Sequence, residues 1–154
     1  MKALRIFLLF AFSLSVFPLR TYATLGEKLD SIERDRQAFS ATLSLTKKKH
    51  KNFTVHEINQ EGLIIHELTS KDGVVFGIAW EGNAQPDLRP LLGTHFMEYS
   101  EMLQTKKKRM GRTSHETIQS STLVVEKFGH MRALGGRAFL PALLPKGVTA
   151  NDIQ

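Results

Sequence analysis

Between Phe53 and Trp80 the side chains change character every second residue, a periodicity that a β-strand turns into two distinct faces. Three such runs are present: Phe53 to Ile58, Leu63 to Leu68 and Val74 to Trp80. They are rich in β-branched and aromatic residues, which suit a pleated, half-buried surface. Asn59-Gln60-Glu61-Gly62 and Lys71-Asp72-Gly73 separate them, and Asp and Gly tolerate the positive φ of a tight hairpin turn. A three-stranded antiparallel meander is the expected result.

After Gly82 to Pro86 the period lengthens. Asp87 is placed to cap a helix with Pro90 in its first turn. Leu88, Leu91, Leu92, His95, Phe96, Tyr99, Met102 and Leu103 then recur at three-and-four spacing, which predicts one main helix over Asp87 to Thr105. Strand character returns at Thr113 to Ile118, Thr122 to Met131 and Arg137 to Leu140, with Gly135-Gly136 read as the last hairpin turn. Pro141 and Pro145 stop further pairing in the tail.

Upstream, Leu25, Leu29, Ile32 and Phe39 suggest a narrow amphipathic helix from Gly26 to Phe39. Ser40 to Asn52 reads as a connection, partly extended around Leu43 and Leu45. The expected fold is therefore α+β, in the order α-β-β-β-α-β-β-β. It is a mainly antiparallel sheet of about five or six strands packed against one main helix.

The first residues have another role. Lys2 and Arg5 precede an apolar run from Ile6 to Phe17, and Thr21-Tyr22-Ala23 offers small residues for cleavage. The run is shorter than the roughly 20 residues of a spanning helix. The expectation is a signal peptide over 1–23, an exported protein, periplasmic or secreted, and no transmembrane anchor after cleavage. A cut after Ala23 removes 23 of 154 residues and leaves 131, the size of a single domain over 24–154.

The absence of cysteine excludes disulfides, thiol nucleophiles, thiolate metal sites and a lipidated cysteine. Lys2, Arg5 and Arg20 leave with the signal, so 21 basic residues become 18 against 15 acidic ones. Nine of those 18 sit in two runs, read as basic loops: Lys47, Lys48, Lys49 and Lys51, then Lys106, Lys107, Lys108, Arg109 and Arg112. Such clusters suit an acidic protein surface or an anionic envelope component. Export, and the lack of aromatics among the charges, argue against nucleic acid.

Gly73 to Gly82 (GVVFGIAWEG), Pro86 to Gly93 (PDLRPLLG) and Gly129 to Pro141 (GHMRALGGRAFLP) resemble a family of small secreted bacterial proteins known only as a domain of unknown function. The resemblance spans nearly the whole mature chain. It implies export and one compact domain, and it implies no activity.

Three His-Glu dipeptides, His56-Glu57, His66-Glu67 and His115-Glu116, lack the second histidine of the helical zinc motif. All lie in expected strands, which send His and Glu to opposite faces. With Ile58 set opposite Leu63, His56 and His66 also fall on opposite sides. No Gly-x-Ser-x-Gly elbow and no phosphate loop is present. Glu98 and Glu101 read as a solvated helix edge.

The least ordinary cluster is Trp80 and Glu81 running into Asp87 and Arg89, because sites gather at strand ends and loops. His95, His130 and Arg132 are added as a candidate pocket rim. The expectation is a non-enzymatic interaction module binding a protein or envelope component, with no cofactor and no metal ligands. The alternatives are a small-ligand or metal binder with a pocket near Trp80, His95 and His130, and a cryptic hydrolase.

Overall fold

The computed structural model describes residues 24–28, 44–60, 62–107, 115–130 and 133–154, with only the backbone given at 44–46, 60, 107 and 130. The expected signal peptide over 1–23 lies outside them, as do most of the expected N-terminal helix and Lys108, Arg109, Arg112 and Arg132.

Seven antiparallel strands form one open sheet: β1 (Ser44–Lys49), β2 (Phe53–Gln60), β3 (Leu63–Ser70), β4 (Val75–Gly82), β5 (His115–Gln119), β6 (Val124–His130) and β7 (Ala133–Phe139). Their spatial order is β1-β2-β3-β4-β7-β6-β5. Two meanders, β1 to β4 and β5 to β7, thus meet where β4 pairs antiparallel with β7. The link between them carries the helical region, α1 (Leu88–Leu92), a 3-10 turn (Gly93–His95) and α2 (Phe96–Lys107), and delivers the chain to the far edge at β5.

The α+β class and the single main helical region match the sequence reading; the strand count does not. Ser44–Lys49 is a strand and not a connection, because the β2 backbone offers it a full antiparallel register from Ser44↔Asn59 to Lys49↔Thr54. At the N-terminal side, Gly26 donates to the Val75 carbonyl (2.8 Å), Val75 donates to the Glu27 carbonyl (3.0 Å), and Lys28 bridges Val74. The chain therefore turns at Leu25 and Gly26, where Gly26 has φ +89, and bridges the start of β4 at Lys28, so a helix does not begin at Gly26. Residues 29–39 lie outside the described residues.

The expected helix over Asp87 to Thr105 forms, but it is interrupted. Asp87 Oδ1 accepts from the Arg89 backbone N–H at 3.0 Å, the expected N-cap. Gly93 then adopts φ +51, which a β-carbon would oppose, and the axis restarts at Phe96. Gly135-Gly136 lies within β7 and not at a turn. The pairing of β6 with β7 runs past it to His130↔Ala133.

Each sheet face carries a packed core. On the helical face Ile58, Ile65, Ile78, Trp80, Val125 and Ala138 pack with Leu88, Leu91, Leu92 and Tyr99. On the opposite face Val148 and Ile153 of the tail, with Leu144 and Ala150, pack on Phe53, Val55, Leu68, Phe76, Ala79, Val124 and Phe139. Phe76 reaches this second core through a bulge. Leu68 pairs with Gly77 while Thr69 pairs with Val75, so Phe76 is the extra residue and turns away from the helices. Burying its ring stabilises the fold by about 2–3 kcal/mol. Polar groups fix the tail at three points. Asn52 Nδ2 donates to the Lys146 carbonyl, Arg137 Nη1 donates to the Ala150 carbonyl, and His66 Nδ1 lies 2.9 Å from the Gln154 carbonyl.

Glu98 is tied to the β5–β6 turn and is not a solvated edge. Thr122 Oγ1 lies 2.8 and 2.7 Å from its two carboxylate oxygens, and His95 Nδ1 lies 3.8 Å away. Hydrogen bonds from Ser120 and Thr122 hold its pKa below the usual carboxylate value. A depressed folded pKa means the contribution is present above the ordinary carboxylate pKa and is lost as pH falls through the folded value. Glu98→Gln is expected to cost about 1 kcal/mol at neutral pH. Thermal melts of the two proteins should converge in strong acid, and a gap that stayed constant with pH would contradict the ionic origin.

Candidate functional site

The three His-Glu dipeptides have different fates. β2 and β3 pair antiparallel, and antiparallel pairing reverses the order of a dipeptide on the facing strand. His56 therefore stands opposite Glu67, and Glu57 opposite His66, with Ile58 opposite Ile65. The register expected from a four-residue turn, Ile58 opposite Leu63, is off by two, because Gln60 pairs with Leu63 and leaves a two-residue link. The two imidazoles do fall on opposite faces, as expected, but each gains the other strand's carboxyl group. Sequence spacing holds this signal only once the register is known.

The first pair is sealed. His56 is 2% and Glu67 0% exposed, on the helical face. Thr69 Oγ1 donates to the Thr54 carbonyl at 3.4 Å. The same hydroxyl lies 3.2 Å from His56 Nε2, within hydrogen-bond distance. The pair anchors structure and offers no path to a substrate. The second pair is half-buried on the tail face. His66 Nε2 lies 3.6 Å from Glu57 Oε2, and Nδ1 holds the tail. In the third dipeptide Glu116 faces Lys127 at 3.5 Å, and the Lys127 ammonium sits 5.0 Å over the Tyr99 ring.

Among the described residues no group of three or more His, Asp or Glu side chains is placed to hold a metal ion. Open catalytic metal sites need three converging protein ligands.

The cluster around Trp80 is scattered by the strand it begins in. Trp80 is 3% exposed and faces the helices, with its Nε1 donating to Gln85 Oε1 at 3.0 Å. Its ring occupies the space over Gly136, where a β-carbon would come within 2.3 Å of Cζ2, so the floor beneath it is filled. Glu81, the next residue, is exposed on the opposite face. Asp87 and Arg89 do meet, at 2.7 Å, in an exposed local pair. The Arg89 guanidinium lowers the Asp87 pKa, and Asp87 raises that of Arg89. His95 is occupied by Glu98. His130 closes β6, and Arg132 lies outside the described residues.

The described parts of the two basic runs lie mostly in regular elements. Lys47, Lys48 and Lys49 belong to edge strand β1, and Lys51 lies in the following turn, all exposed. Lys106 and Lys107 end α2 beside β5, the opposite edge. Six inter-strand spacings of about 4.8 Å separate those edges by roughly 29 Å, so the two clusters cannot share one small anion.

The feature the sequence reading missed lies on the tail face, beyond the tail. One cross-strand row runs His115, Phe128, Gly135, Glu81, Ile64. The imidazole of His115 and the ring of Phe128 stack with centroids 6.3 Å apart and 18° between planes. Phe128 spreads over Gly135, whose added β-carbon would lie 2.7 Å from its Cε2, and it remains 46% exposed. The available signal was a Gly pair inside a strand pattern, which marks close approach of a ring as readily as a turn. An open groove of about 470 Å³ lies elsewhere, between Ser70 to Asp72 and Ala142 to Lys146, with no buried polar group in its walls.

No helix among the described residues is long and apolar enough to cross a membrane. No curated protein and no solved structure matches the chain. One family model, described as a protein of unknown function (DUF2844), matches residues 21–153. The match covers the entire described fold except its final residue, and the chain belongs to the DUF2844 family.

Proposed function

We propose that this is an exported, non-enzymatic interaction module that binds a protein or an envelope component through the uncovered part of its sheet. The observation that carries the reading is the stacked pair of Phe128 and His115, left exposed on the part of the tail face that the tail does not cover. Aromatic rings contribute large contact areas at small entropic cost, which is why they anchor interfaces. Met97, 67% exposed on α2, and Leu143 lie apart from it as single apolar side chains, which need no functional explanation. The sealed pair His56 and Glu67 and the filled floor beneath Trp80 support neither a hydrolase nor a pocket at Trp80, His95 and His130.

Photo-crosslinking in the native host tests this. A benzoylphenylalanine at position 128 should give one reproducible adduct, and the same group at Met97 should not. Equal labelling from both positions, or none above background, would remove the reading. Phe128→Ser should abolish the partner's binding while leaving the melting temperature within a few degrees, since half of the ring is already in water.

A further inference from the structure

The two edges of the sheet are treated differently by the fold. In an antiparallel pair, residues alternate between those that exchange hydrogen bonds with their neighbour and those whose N–H and C=O point outward. On the β5 side the Ser120 N–H donates to the Leu123 carbonyl, which fixes the phase of that alternation. Thr117 is then an outward residue, and Lys106 Nζ indeed donates to its carbonyl at 2.6 Å. The helix end thus blocks that edge.

On the β1 side the His50 N–H donates to the Phe53 carbonyl at 2.8 Å. Counting back along the register makes Lys48 an inward residue bonded to Val55, and makes Lys47 and Lys49 outward. Among the described residues no strand flanks β1 on that side. The pleat sends Lys47 and Lys49 to the helical face, beside His56 and Thr54, and Lys48 to the tail face beside Val55.

We propose that β1 accepts an extended acidic segment of a partner protein by strand addition, with carboxylates at alternate positions facing Lys47 and Lys49. The outward amides and carbonyls of these two residues supply the backbone bonds, and their ammonium groups select the charge. A second copy of the chain fits less well than an acidic strand, because it brings a second run of three lysines to the same seam, and the register centred on Lys47 sets that residue against itself. The lysines thus disfavour self-association while admitting an acidic strand. A flat anionic surface is a poorer match, since the three side chains straddle the strand and do not lie on one side of it. The inference concerns the β1 edge and not the sheet face carrying Phe128, and it stands or falls separately.

The test is fluorescence anisotropy with the full chain and three probes: a labelled peptide alternating Glu with Val, its Lys-Val counterpart, and phosphatidylglycerol vesicles. The Glu-Val peptide should bind, weaken with salt, and lose about tenfold in affinity with Lys47→Glu/Lys49→Glu. Lys48→Glu should lose less, and Phe128→Ser nothing. Lys47→Pro removes an outward N–H without breaking a β1–β2 bond, so it should also lose about tenfold. If that variant melts early, hydrogen exchange on the unmodified chain decides, since the amides of Lys47 and Lys49 should slow on adding the peptide. Equal binding of both peptides, capture by vesicles alone, full binding by folded Lys47→Pro, or unchanged exchange at those amides would overturn the proposal.

Discussion

Glu67→Ala will be among the most destabilising single changes in this chain, by about 3 kcal/mol or more in urea unfolding followed through the single tryptophan. The carboxyl group is fully buried opposite His56, itself buried. Truncating one member of such a pair leaves the other in an apolar interior without its compensation, and this cost exceeds the net value of the pair. The decisive comparison is His56→Leu/Glu67→Leu, which removes both polar groups and fills the space. It should recover most of the loss, because buried pairs and apolar replacements of similar volume are close in free energy. A double variant as unstable as Glu67→Ala would mean that the polar pair itself, and not the orphaned partner, is required. The pair also specifies register, since a two-residue slip of β2 against β3 would set both carboxyl groups opposite apolar or hydroxyl residues.

Gly136→Ala will lower stability by about 3 kcal/mol, opposite in sign to the usual gain when alanine replaces glycine in a strand. The ordinary gain is about 0.5–1 kcal/mol and comes from chain entropy and propensity. Here the new methyl would lie 2.3 Å from Trp80 Cζ2 and 2.6 Å from the backbone carbonyl of Glu126, and neither can retreat without opening the core or parting β6 from β7. Gly135→Ala is the control one residue away. The three atoms nearest its methyl all belong to Phe128, an exposed ring that can swing toward solvent, so the change should stay below about 1 kcal/mol. Trp80→Leu/Gly136→Ala should be less destabilising than the sum of its parts, because the indole is half of the clash. Strict additivity by circular dichroism melts would show that the carbonyl alone sets the cost.

The same residues show which parts of the fold were legible in advance. Period-two runs located β2, β3 and β4, and the Asp87 cap with three-and-four spacing located the helical region, because both are short-range consequences of which side chains can share a face. The alternation was weak in Ser44 to Lys49, where three consecutive lysines carry no apolar signal. That segment is a strand because β2 presents unsatisfied backbone groups to it. Gly135-Gly136 was misassigned for a related reason. A glycine pair tolerates a turn, but it also leaves flat ground for a ring arriving from elsewhere in the chain, and nothing local distinguishes the two.

The chain by itself determined its class, the capped helix, the β-runs, the absence of cysteine thiol chemistry and the separation of His and Glu onto opposite faces. Each follows from covalent order and a repeat of two or 3.6 residues. Only the tertiary structure decided that His56 meets Glu67 and Glu57 meets His66, that Trp80 is sealed over Gly136 while Phe128 is open over Gly135, and that the lysine clusters sit at opposite edges. These depend on strand register and strand order, which are set by contacts between residues far apart in the chain, where local periodicity carries no information.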